Sequence, residues 1–188
     1  MEEYWGYGYS LWERITTLQR TELRQAATKQ GLKLVQLEAL HYFSMCNRYS
    51  NTPGALTEFL SLTKGTVSQT IRALEQKGFI EKQVSKEDRR VVHCVLTEEG
   101  RDVVEEAYPP QLFEAAWDEL RKQEGAKMVE LFSSFLRNLQ RHHGNRSFGQ
   151  CQTCRHFRRE EEGFRCGLTG EPLQASDSLK ICREHEFV

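Results

Sequence analysis

The sequence predicts a mostly α protein of the α+β class, and three observations carry that prediction. Apolar residues recur at three- and four-residue spacings through most of residues 10–142, as amphipathic helices require. Residues 79–96 depart from that rhythm, with two β-branched runs flanking a charged turn, the pattern of a hairpin. Hydroxyl residues and glycines stand where helices should start and stop.

Residues 10–29 read as the first helix, with Leu11, Ile15, Leu18 and Leu23 near helical spacing and Gly31 as a stop. A second, over 35–46, carries Leu37, Leu40 and Phe43, and the polar stretch 47–51 reads as a turn. Thr52 and Pro53 start the third: the hydroxyl can accept from a free backbone N–H, and proline suits the first helical position. It carries Leu56, Phe59 and Leu60. After a short turn at Ser61 and Leu62, Thr63 caps a fourth helix over 63–77. That helix turns Val67, Ile71 and Leu74 inward and shows Lys64, Thr66, Ser68, Gln69 and Arg72 on its other face; Gly78 ends it.

Residues 79–84 read as a strand, 85–90 as a charged turn, and Val91, Val92, Cys94, Val95 and Leu96 as the returning strand. Thr97 caps the next helix, whose Glu98 and Glu99 suit the positive end of its dipole. Pro109 and Pro110 should kink or break it. Leu112, Phe113, Ala116, Trp117 and Leu120 resume a helical stripe, and Gly125 permits another break. The last long helix runs to about His142 with Met128, Leu131, Phe132, Phe135, Leu136 and Leu139 at helical spacing. Residues 144–149 read as a hinge into a cysteine-rich tail.

A chain of 188 residues holds one sizeable core, or one core and a small appendage. No apolar run approaches the roughly 20 residues that span a bilayer. Met1, Glu2, Glu3, Tyr4 and Trp5 put no basic patch before a hydrophobic stretch, which argues against a signal peptide and for the cytoplasm. The net charge is only −1, yet residues 61–93 hold seven basic side chains (Lys64, Arg72, Lys77, Lys82, Lys86, Arg89, Arg90) against four acidic ones. Positive charge is therefore gathered on the helix and hairpin just described.

Two short helices joined by a tight turn and followed by a hairpin, roughly residues 52–96, make a winged helix-turn-helix. The second helix has the diameter of a DNA major groove. Its outward Lys64, Thr66, Ser68, Gln69 and Arg72 can reach phosphates and base edges, Gln69 suiting adenine and Arg72 guanine or a phosphate. Lys86, Arg89 and Arg90 at the hairpin tip can reach the adjacent minor groove or its backbone.

Three motifs within residues 60–100 resemble the MarR family of bacterial regulators. They are Leu74-Glu75-Gln76-Lys77-Gly78 at the end of the recognition helix, Asp88-Arg89-Arg90 on the wing, and Leu96-Thr97-Glu98-Glu99-Gly100 at the start of the following helix. A looser likeness extends over about 10–143. The resemblance implies a homodimeric, sequence-specific regulator of transcription, a repressor by preference, on a pseudo-palindromic double-stranded operator. It implies dimerisation through the first and last helices, and a salt bridge by which Asp88 lets the wing present Arg90. The Pro109-Pro110 pair departs from the family's long straight helix. The division expected is a dimerisation helix in 1–34, a DNA-binding domain in 35–100, dimerisation helices in 101–146 and a metal module in 147–188.

The tail has the spacing C-x2-C-x11-C-x15-C, from Cys151 and Cys154 to Cys166 and Cys182. In a reducing compartment such a cluster is more often a metal site than a set of disulfides. A segment this poor in apolar residues usually needs a metal or disulfides to hold a structure. Four thiolates suit one zinc ion or an iron–sulfur cluster per chain. The single CxxC pair weighs against zinc and the frequency of structural zinc weighs for it, which leaves zinc slightly ahead. His156 and His185 adjoin the cysteine motifs as substitute ligands. The tail is then either a cap or the input for a metal or redox signal acting on the dimer.

Cys46 and Cys94 read as small buried hydrophobes, His41 as a core residue, and His142 and His143 as a solvated helix end. Tyr4, Trp5, Tyr7, Tyr9 and Trp12 form an aromatic cluster suited to a dimer interface, or to a pocket for a small-molecule effector. Two other classes stay open: a winged helix that binds protein, and a thiol redox protein using Cys151 and Cys154. The second lacks the βαβ surroundings of a thioredoxin-like motif.

Overall fold

The computed structural model describes residues 2–86, 88–122, 124–143, 146–161 and 163–187. Helix α1 (Glu2–Lys29) leads to α2 (Leu34–Met45), α3 (Pro53–Phe59) and α4 (Lys64–Gln76). The antiparallel pair β1 (Ile80–Val84) and β2 (Val92–Leu96) follows, in the register Ile80 opposite Leu96. Then come α5 (Glu98–Ala107), α6 (Gln111–Leu120) and α7 (Gly125–His143).

Local chemistry accounts for these boundaries. The hydroxyls of Thr52, Thr63 and Thr97 accept from the backbone N–H groups of Ala55, Thr66 and Gly100, capping α3, α4 and α5. Gly78 takes φ +77° at the end of α4, a conformation that favours glycine. At Gly100 the reason for glycine is space: a Cβ there would lie 2.1 Å from the Phe79 carbonyl oxygen. The same carbonyl accepts from the Thr97 N–H at 3.1 Å, so α5 is pressed against the start of β1. Pro109 and Pro110 separate α5 from α6, as expected of residues that cannot continue a helix.

Helix α2 is the centre of the core. Leu37, Leu40 and Tyr42 are fully enclosed, against Leu56 of α3, Val67, Ile71 and Leu74 of α4, and Ile80 and Cys94 of the hairpin. Cys46 and Cys94 are buried, as their reading as small hydrophobes requires.

Two expectations about the ends of the core are corrected. The first helix starts at Glu2, well before residue 10, and only its C-terminal half is covered: Leu23 is buried while Leu11, Ile15 and Leu18 are exposed. The hinge is the second. Residues 144 and 145 lie outside the described residues, but 146–149 are anchored. Phe148 packs edge-on to Phe59 and Tyr42, Ser147 bonds His185, and Arg146 pairs with Glu58.

The tail has a fold of its own that the sequence pattern did not reveal. A three-stranded antiparallel sheet is ordered β3 (Phe157–Glu160), β4 (Gly163–Cys166), β5 (Pro172–Leu173), followed by the short α8 (Ala175–Ser178). It is not a separate appendage. Phe148 and Ile181 pack against the main core.

Candidate nucleic-acid interface and thiol cluster

The recognition face is laid out as the sequence pattern requires. Val67, Thr70, Ile71 and Leu74 are buried on one side of α4, while Lys64, Thr66, Ser68, Gln69 and Arg72 are exposed on the other. The wing adds exposed Lys86, Arg89 and Arg90. Asp88 grips Arg90 three ways: it accepts from the Arg90 backbone N–H at 2.9 Å, from Nε at 3.1 Å and from Nη2 at 2.9 Å. Those bonds hold the Asp88 carboxyl below the usual carboxylate range. They also fix the arm of Arg90 while its side chain stays 91% exposed. Two cations of the basic stretch have protein partners instead: Lys82 pairs with Glu75 at 2.6 Å, and Lys77 donates to the Gly31 carbonyl.

Cys151, Cys154, Cys166 and Cys182 line one small cavity of about 40 Å³, together with His156. Burial, and after it the thiols of Cys182, Cys166 and Cys154, push the Cys151 thiol up to about 12. The four sulfurs are thus near enough to feel one another. Among the described residues, however, no three His, Cys, Asp or Glu side chains converge tightly enough to ligate an ion, so closure on a metal needs the thiols to turn inward. The two histidines differ. Both ring nitrogens of His185 have hydroxyl partners, Ser147 on Nδ1 and Thr153 on Nε2. The Nε2 of His156 is buried without a hydrogen-bond partner, its nearest carboxylate being Glu186 at 3.6 Å. Of the two, His156 is the spare donor at the cavity.

A larger open cleft of about 1010 Å³ lies between α1, α2, α5 and β2. His41, Tyr108, Phe113 and Arg101 are among its walls. Of the described residues of the N-terminal aromatic cluster, Trp5 is 73% exposed and Trp12 meets Phe135 edge-on at 5.7 Å in the protomer. The side chains of Tyr4 and His143 lie outside the described residues. Among the described residues no helix is long and apolar enough to cross a membrane.

The profile of the MarR family matches residues 46–92, from the end of α2 to the start of β2. The transcriptional repressor MprA of Escherichia coli is 28% identical over 112 residues, 58% of this chain and 64% of MprA. The chain thus spans just under two thirds of that relative's length. A MepR variant of Staphylococcus aureus, solved bound to an oligodeoxyribonucleotide, is similar over 71% of this chain and 98% of that one, at 25% identity and a TM-score of 0.50. YdcH of Bacillus subtilis, an uncharacterized HTH-type transcriptional regulator, is 32% identical over 104 residues, 54% of this chain and 70% of YdcH. The profile falls on the very helix pair and wing described above, YdcH matches over more than two thirds of its length, and the chain therefore belongs to the MarR family.

Proposed function

We propose that this chain is a transcriptional regulator that binds double-stranded DNA as a homodimer in the cytoplasm, and that it represses. One observation carries the reading: an exposed polar face on α4 stands beside an arginine held outward on the wing by Asp88. Phosphate contacts from such residues fix register, and base-edge contacts from the same helix specify sequence. Lys64, Thr66, Ser68, Gln69 and Arg72 take the major groove, and Lys86, Arg89 and Arg90 the flanking backbone or minor groove. The similarity to MepR, solved with an oligodeoxyribonucleotide, supports DNA as the partner. The name of MprA supports repression. The dimer is supported by apolar residues on α1, α6 and α7 that one protomer leaves exposed, among them Trp5, Leu131 and Phe135.

The test is the salt dependence of binding to a duplex selected from a randomised pool. Arg90→Ala should weaken binding and reduce the slope of log K against log salt by about one. An unchanged slope would mean that Arg90 touches no phosphate.

The four tail cysteines form the site of one metal ion per chain, with His156 as the spare donor. The donor set suits zinc, and the four cysteines line one small cavity. A bound ion would supply a cross-link between the turn at Cys151 and the chain's end at Cys182. Metal analysis of the purified protein should find one zinc per chain and no visible absorption; a brown protein would make the site an iron–sulfur centre instead. The dithiol reading of Cys151 and Cys154 fits less well, because Cys151 is buried and Cys166 and Cys182 share the cavity.

A further inference from the structure

Cys182 sits between two anchors on the DNA-binding lobe. On one side, the Ile181 N–H donates to the Met45 carbonyl at 3.0 Å, and the Ile181 carbonyl accepts from the Asn47 N–H at 2.9 Å. On the other, the Arg183 N–H donates to Ser50 Oγ at 2.8 Å. The Arg183 guanidinium then reaches Glu58 on α3, Nε to Oε2 at 2.8 Å with Nη2 on the second carboxylate oxygen. One tail cysteine is therefore set into the turn that joins α2 to α3.

Glu58 is the node of this contact. It also pairs with Arg146 at 3.2 Å, and Arg146 pairs with Glu184. The two arginines stand near the two ends of the tail segment, so a single carboxylate on α3 holds both. Helix α3 in turn packs on α4. A fork of two guanidinium hydrogen bonds tolerates little displacement, so the exposed side of α3, whose other side is fixed in the core by Ala55 and Leu56, follows the position of residue 183. The tail is tied to the α2–α3 turn a second time, by Arg48 paired with Glu171 at 3.0 Å and by the Tyr49 hydroxyl donating to that carboxylate at 2.6 Å, while among its described residues the buried hydrophobics are Cys151 and Leu173.

We infer that the thiol cluster governs the recognition helix through this turn, with Cys182 as the linking residue and Arg183–Glu58 as the clamp. This rests on the metal site proposed above. An ion that ties Cys182 to the other three cysteines holds residues 181–183 in place, since hydrogen bonds around ligating groups orient ligand and surroundings together. Without it, the segment loosens, the clamp slackens, and α3 and α4 lose their fixed setting. The route is within one chain, from tail to helix-turn-helix, and does not pass through the spacing of the dimer.

The test uses the full chain loaded with Zn²⁺ and then treated with a chelator. Three quantities are read: bound zinc, amide hydrogen exchange over residues 53–76, and affinity for the selected duplex. In the wild type, chelation should speed exchange there and weaken binding about tenfold, within the usual range of coupling between sites. Glu58→Ala leaves every cysteine in place. It should keep its zinc, yet its response to chelation should fall below about threefold, a loss of most of that coupling. Arg183→Ala, which removes the other half of the fork and leaves every cysteine in place, should lose the response in the same way. A full response in Glu58→Ala would overturn the clamp. A wild type that holds zinc but exchanges and binds identically after chelation would overturn the inference and leave the metal site standing. A wild type that takes up no zinc would overturn the metal site itself.

Discussion

His41 stacks on Tyr108 with 3.6 Å between ring centroids, and burial draws its pKa down to about 4. The folded protein therefore carries it neutral. An unfolded imidazole takes its proton near 6.5 and the folded one near 4, so the stability it contributes is complete above pH 6.5 and drains away as pH falls toward 4. Melting temperatures measured from pH 7 to pH 4 should fall across that window, and His41→Gln should flatten part of the fall. An unaltered slope would mean that another group carries it. At more acid pH the clamp carboxylate follows. Arg183 foremost, and Arg146 with it, hold Glu58 below the usual range. Its contribution is present above the ordinary glutamate value and lost as pH falls through the depressed one. Among single residues, those whose chemistry is local were legible in the sequence, the capping threonines and Gly78, whereas the pairing of Asp88 with Arg90 came only through the family resemblance. Gly100 was visible only as part of a motif. Its reason, the Phe79 carbonyl lying against α5, depends on a contact 21 positions back along the chain that no spacing records.

Among the elements, the helices of the DNA-binding lobe matched their sequence reading to within a residue or two, because each combines a cap, an apolar stripe and a stop. The hairpin matched equally well, with buried Ile80 opposite buried Leu96 at its base. The outer helices were legible as helices but not as surfaces. The stripe on α7 reads like a core stripe, yet Leu131, Phe135 and Leu136 stand open to solvent in the protomer. Periodicity records that a face is apolar; it does not say whether the covering face belongs to the same chain. On the proposed dimer, Phe135→Glu places a charge on that face beside Trp12. Sedimentation should show it dissociating at concentrations at least about tenfold above those at which the wild type does, the loss expected when an interface aromatic is replaced. A mutant that sediments like the wild type would remove α7 from the interface.

At the scale of the molecule, the tail and the lobe share one core, and this was the least legible feature of all. Four cysteines pointed to a compact unit, but nothing in their spacing showed where that unit would dock. Docking rests on Phe148 against Phe59 and Tyr42, on the Ile181 pairing, and on Glu58 with two arginines. Each joins residues about ninety or more positions apart. Phe148→Ala should destabilise the whole protein by about 2 kcal/mol, less than the 3–5 typical of a fully buried phenylalanine, since this ring is only half-buried. Urea unfolding followed at both the tail and the lobe should shift together. A shift confined to the tail would mean two independent units. The pairing of Ile181 with Met45 and Asn47 also orders events at the ribosome. The entire reading head, through α4 and the wing, is synthesised long before the residues that brace it. A chain broken before residue 181 would carry the whole exposed face of α4 and the wing and still lack the strand-like pairing with Met45 and Asn47.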